Sequence, residues 1–197
     1  MGKSSSQATL DDFMWQAWKA MRPLDGLRAE IIEEAIEVSP PPRRRHGVIA
    51  NRLRQAAGAH LADGGHAVYQ GLRVIHRRKV WIPHLVIAPH DLDEIPDEED
   101  SGVDASGVAA VFEVVSPGHE AQSRDRKRTR RAYARAGIPR YVIVDDFDGD
   151  GTVTVLTSPN PGEAGYADEH RVPYGTGAVV PDGPAKGFVI GDAIVRP

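Results

Sequence analysis

The chain has 197 residues, 41% of them hydrophobic, and a formal net charge of −4. That length holds one domain with a sizeable core. No apolar run approaches the ~18 residues of a transmembrane helix, and the absence of cysteine excludes a disulfide scaffold, a thiol nucleophile and a thiolate metal site. The polar start, Met1 to Asp12, shows no signal-peptide core, so a cytoplasmic location is the default expectation. Met1-Gly2-Lys3-Ser4-Ser5-Ser6 fits an N-myristoylation pattern, although such polar starts are ordinarily frayed ends. The charge is unevenly spread. Asp91 to Asp104 carries eight acidic residues and no basic one, and without it the rest of the chain is at +4. Basic clusters lie at Arg43-Arg44-Arg45, Arg77-Arg78-Lys79 and between Arg124 and Arg135.

In chain order, Leu10, Phe13, Met14, Ala17 and Trp18 have helical spacing. Arg28 to Ser39 is ambiguous. Its Ala, Glu and Ile content favours helix, while its pattern equally fits a hairpin turning at Glu33-Glu34 without the usual Gly or Asn. Pro40-Pro41-Pro42 ends this element. Arg43 to Leu61 reads as a helix with Val48, Ile49, Leu53, Ala56, Ala57 and Leu61 on one face. After Gly64-Gly65, two strands are expected, Ala67 to Ile75 and Val80 to Ala88, joined by a basic turn at His76 to Lys79. The acidic segment follows as a mobile loop. Val108 to Val115 reads as a buried central strand stopped by Ser116-Pro117-Gly118. Ala121 to Ala136 is a helix closed by Gly137. Tyr141 to Val144 and Thr152 to Leu156 are strands. From Ser158 the chain is Gly- and Pro-rich, with short β segments at Val179-Val180 and Phe188 to Val195. This order predicts an α/β (α+β) fold, a mixed sheet flanked by helices, in which Val108 to Val144 forms a βαβ crossover if its strands are parallel.

One residue conflicts with its surroundings. Glu113 sits inside the apolar run Val108 to Val115, where a carboxylate is costly unless it is paired or holds a cation. A functional carboxylate at a strand end and an ordinary ion pair both fit. On the helix that follows, Asp125, Thr129, Ala132, Tyr133 and Ala136 share the face expected to lie on the sheet. Arg124, Lys127, Arg128 and Arg131 fall on the remaining surface, a candidate nucleic-acid-binding face, or a solvated one.

Phe112-Glu113-Val114-Val115-Ser116-Pro117, then Asp125, then Tyr133 to Asp145 with Gly137-Ile138-Pro139-Arg140-Tyr141, resemble the Uma family of putative restriction endonucleases, bacterial proteins of the PD-(D/E)XK nuclease superfamily. Ala29-Glu30-Ile31-Ile32-Glu33, Ser39-Pro40-Pro41 and His46 extend the similarity back to about Leu24. The resemblance turns Arg28 to Ser39 from helix to hairpin and implies a restriction-endonuclease-like fold in a single domain over 1–197. Its parts would be an N-terminal helical segment (1–23), a nuclease-like core (24–157) containing the acidic loop (91–107), and a C-terminal β extension (158–197). It also implies metal-dependent hydrolysis of DNA, with Mg²⁺ or Mn²⁺ held by Glu113, the Val114 backbone carbonyl and the position of His84, assisted by Glu30. A homodimer is expected by the same analogy.

The chain departs from the family pattern twice. The strand Asp is His84, in Pro83-His84, and the helix Lys is Thr129. A neutral imidazole suits Mg²⁺ poorly, and Thr brings no charge. His84 can be read as a ligand for a softer metal beside Glu113, as a strand His hydrogen-bonded to Glu113, or as a drifted residue in a silent site. Most other histidines, which lack metal-ligand spacing, read as surface residues. Hydrolysis is therefore expected to be weak or lost, and the alternative is a silent nucleic-acid-binding or assembly module. The acidic loop joins the His84 and Glu113 strands and is expected near the cleft mouth.

Overall fold

A computed structural model describes residues 3–22, 27–96 and 101–196. Gly2, the boundary at 23–24 and the centre of the acidic loop lie outside the described residues. Helix α1 (Lys3–Ala20) begins earlier than its apolar spacing suggests. It packs Met14, Trp15 and Trp18 on Ala29, Ile31, Ile75 and Val80, and the Trp18 indole donates to the Ala29 carbonyl at 2.8 Å. The hairpin is present as β1 (Arg28–Ile32) and β2 (Ala35–Ser39). Its turn works without glycine because Glu33 itself takes a left-handed φ of 55°.

Helix α2 (Arg44–His60) buries Ile49, Ala50, Leu53 and Ala57, close to the predicted stripe. The two strands expected next are four: β3 (His66–Tyr69), β4 (Val74–His76), β5 (Lys79–Trp81) and β6 (Leu85–Pro89). The breaks fall at residues 70–73 and 82–84, where Gly71 and Pro83 were the available signals. The basic turn between β4 and β5 is as expected, with Arg77 and Arg78 both left-handed.

The acidic segment is partly ordered. Asp91 and Asp104 each cap a short 3₁₀ turn, Ile95 is buried, and β7 (Val103–Asp104) pairs in parallel with β4. The described part of the segment is therefore ordered. The described part lies at one edge of a sheet ordered β2-β1-β5-β4-β7, opposite the β2 edge.

The second sheet holds β8 (Ala110–Val114), β9 (Arg140–Asp145), β10 (Thr152–Asn160) and β11 (Gly165–Pro173), in the order β11-β10-β9-β8-β6-β3. Strands β8 and β9 are parallel, as a βαβ crossover requires. The crossover runs through α3 (His119–Ser123), a π turn (Arg124–Arg128) and α4 (Thr129–Arg135). Gly137, at φ 73°, ends it as predicted. The C-terminal segment adds β12 (Ala178–Val179), β13 (Val189–Ile190) and α5 (Asp192–Val195). Strand β11 and helix α5 were not expected. Exposed side chains along β11 give it no apolar alternation, and it is held by backbone pairing to β10. Among the described residues, no helix is long and apolar enough to cross a membrane.

The period of two along each strand sorts the core. Ala110, Phe112 and Val114 face α2 and the C-terminal segment. Val111 and Val115 face Tyr133 and Ala132 of α4, together with Ile32, Val74 and Trp81 of the smaller sheet. Glu113 has the parity of Val111, so it enters this second interior. Glu30 shares the parity of Ile32 on β1 and enters it from the opposite sheet. The fold thereby brings together two carboxylates 83 positions apart in sequence.

Candidate active site

Glu113 is 5% exposed, and both of its oxygens are occupied. Oε1 accepts from the Tyr133 hydroxyl at 2.8 Å. Oε2 accepts the His84 backbone N–H at 3.2 Å and is in direct contact with His84 Nδ1. Burial alone would raise the Glu113 pKa. The neighbouring His84, the hydrogen bonds from His84 and Tyr133, and the charge of Arg124 outweigh burial and hold it below the usual carboxylate range. Tyr133 is fixed by edge-on contacts with Trp81, 5.4 Å away, and Tyr141, 5.0 Å away.

Glu30 is 6% exposed and accepts the Ile82 N–H at 2.7 Å. Burial, followed by the negative charge of Glu113, pushes its pKa up to about 7 against the Ile82 bond, Arg124 and Arg28. Near neutral pH this carboxyl is therefore only partly ionised.

The π turn sets the rest of the site. The Thr129 N–H reaches back to the Arg124 carbonyl, an i→i+5 bond of the kind that bulges a helix. Within this bulge, Arg124 turns inward with Asp125 instead of pointing to solvent. Arg124 Nε donates to Asp125 Oδ1 at 2.8 Å, and Nη1 donates to Ser39 Oγ at 2.8 Å. Asp125 also accepts the Ser116 N–H at 3.3 Å. Burial dominates Asp125 and leaves its pKa raised despite Arg124. Thr129, at the family's lysine position, turns its hydroxyl to the Asp125 carbonyl at 3.1 Å, and the Tyr141 hydroxyl donates to that same carbonyl at 2.7 Å.

Sequence periodicity assigned Arg124 to an outer face because an α-helical count cannot anticipate a π turn. Arg124 acts on both Glu30 and Glu113. His46 is a second residue that departs from expectation. It is 4% exposed, not a surface residue, and its ring lies 4.2 Å from that of His84. Its Nδ1 contacts Ser116 Oγ at 3.3 Å, while Nε2 of both His46 and His84 is buried without a partner among the described residues. The available signal was its position in the first turn of α2, five residues after Pro41.

The proposed nucleic-acid face is largely tied up within the chain. Arg128 pairs with Glu33 and Glu37, and Arg131 pairs with Glu33 at 2.7 Å. Arg126 makes two bonds to Asp145, and Arg130 pairs with Glu169. Of the four residues predicted for that face, Lys127 alone has no ion pair among the described residues. The arginines instead anchor the β1–β2 turn to the helix, which holds Glu30 over Glu113.

The donor set fits Mg²⁺ poorly. That ion needs near-octahedral oxygen ligation, whereas one position offers an imidazole nitrogen already bonded to Glu113. Tyr133 occupies the other Glu113 oxygen, and Asp125 is held by Arg124. Among the described residues, no group of three His, Asp or Glu side chains is placed to hold a metal ion.

A family model described as "Putative restriction endonuclease", Uma2, matches residues 15–187. The fold is similar to the crystal structure of a putative nuclease of the DUF820 group from Anabaena variabilis. That likeness has a TM-score of 0.68 and 15% sequence identity, and covers 92% of this chain and 96% of that one. No curated protein matches the chain.

Proposed function

Because the chain belongs to the Uma2 family of putative restriction endonucleases, we propose that it is a DNA-binding nuclease-fold protein whose hydrolytic centre is silent. The observation that carries this reading is the closure of Glu113. Each of its oxygens already accepts from a neighbour, Tyr133 or His84, with which a metal ion would have to compete. Thr129 supplies none of the positive charge that would stabilise a transition state. DNA binding draws on Arg43, Arg44 and Lys127, which have no ion pair among the described residues, and on the mildly basic balance outside the acidic segment.

A second reading, weak hydrolysis with Mg²⁺ or Mn²⁺ at Glu113 and His84 and with Glu30 assisting, is supported by one feature. Glu30, Glu113 and Arg124 still act electrostatically on one another in a shared interior.

Supercoiled plasmid incubated with the protein and either cation, beside Glu113→Ala, separates the two readings. The proposal expects no nicking above the alanine variant, together with salt-sensitive retardation of duplex DNA. Nicking that Glu113→Ala abolishes would establish the second reading. Absence of both nicking and retardation would remove DNA from the account.

A further inference from the structure

Beside the closed cluster lies a cavity of about 660 Å³ that the hydrolytic reading does not use. It is bounded by the start of α2, the end of β8 and the turn between β9 and β10. We propose that this cavity binds one nucleotide unit, with the phosphate at the α2 N-terminus and the base on Phe147. The proposal deepens the DNA-binding reading and rests on it for the source of the nucleotide.

The phosphate end is built from several independent features. Arg43 occupies the N-cap of α2 without a side-chain cap, so the first-turn amides keep their donors for an incoming anion. The Arg43 guanidinium lines the cavity and has no ion pair among the described residues. His46, in the same turn, also lines the cavity, is 4% exposed and leaves Nε2 without a partner among the described residues. In the tautomer whose Nδ1 accepts from the Ser116 hydroxyl, Nε2 carries the ring proton as one more donor.

The other end is aromatic and preformed. Phe147 is 43% exposed, unusual for a side chain of its size. Tyr174 lies against Gly151, where a Cβ would come within 2.2 Å of the ring, so only glycine lets the tyrosine seat there. The Tyr174 hydroxyl donates to Asp146, which Arg45 neutralises through two bonds. Asp150 also lines the cavity, and an acidic side chain disfavours a phosphate beside it, which leaves the Phe147 side to the base. Stacking on an aromatic face tolerates any base, so the site is expected to accept a nucleotide irrespective of sequence.

The test is fluorescence anisotropy with a short labelled single-stranded deoxyoligonucleotide, with and without a 5′-phosphate, and with deoxyadenosine monophosphate as competitor. Arg43→Ala and Phe147→Ala both lie at exposed positions. Each is expected to weaken binding of the phosphorylated strand about tenfold, and the mononucleotide is expected to compete. Retained duplex binding with no effect of the 5′-phosphate or of either variant would overturn the nucleotide site and leave the DNA-binding reading intact. Mononucleotide binding lost in Phe147→Ala, without duplex binding, would support the site and overturn the DNA-binding reading.

Discussion

Replacing Glu30 with Gln isolates the energy held in the buried carboxyl opposite Glu113. The glutamine keeps an oxygen for the Ile82 N–H but cannot ionise. In the native protein the Glu30 pKa rises from 4.5 to about 7. At about 1.36 kcal/mol per pKa unit, that is a stability difference of about 3 kcal/mol across the window. The sign follows from linkage. Between these two values the folded state binds more protons than the unfolded state, so stability falls as pH rises from about 4.5 through about 7. The wild type should therefore lose about 3 kcal/mol from this group between pH 5 and pH 8, and Glu30→Gln should not. His46 contributes with the opposite sign, because its pKa is lowered to about 3. The wild-type curve alone therefore mixes the two, whereas the difference between wild type and Glu30→Gln cancels the histidine. Urea unfolding of both proteins at pH 5, 6, 7 and 8 reads that difference. A constant difference across the series would refute the buried, Glu113-facing placement of Glu30.

Glu113 should behave in the reverse sense. Its depressed pKa stabilises the fold above the unfolded carboxylate value and is lost as pH falls through the folded value, so Glu113→Gln should flatten the acid limb of the stability curve. Tyr133→Phe leaves Glu113 Oε1 without its 2.8 Å donor and should cost about 1–3 kcal/mol in urea unfolding. Arg124→Met strands a buried Asp125 and should cost about 3 kcal/mol or more, with little dependence on salt. Loss below ~0.5 kcal/mol would place Arg124 at the surface, where the helical count first put it.

The strand carrying Glu113 was legible because a carboxylate in an unbroken apolar run has few physical explanations. The crossover helix was legible from its Gly137 stop. The β1–β2 hairpin was not decidable from local propensity, because Glu33 adopts a conformation that glycine or asparagine would normally signal. Two absences from the sequence reading have distinct causes. Strand β11 is fixed by its backbone ladder to β10 and shows no side-chain pattern. Arg124 enters the site through a π turn, a one-residue shift in helix phase that composition does not encode. The basic helix looked like a phosphate surface because the acidic partners, Glu33, Glu37, Asp145 and Glu169, lie on distant segments.

The central claim is that His84 and Tyr133 close Glu113 into a cluster that does not take a divalent cation. Calorimetric titration with Mn²⁺ tests it directly, comparing the wild type with the double variant His84→Asp, Thr129→Lys. The account predicts no saturable heat for the wild type and one-site binding for the double variant. Stoichiometric Mn²⁺ binding by the wild type, abolished in Glu113→Ala, would contradict it.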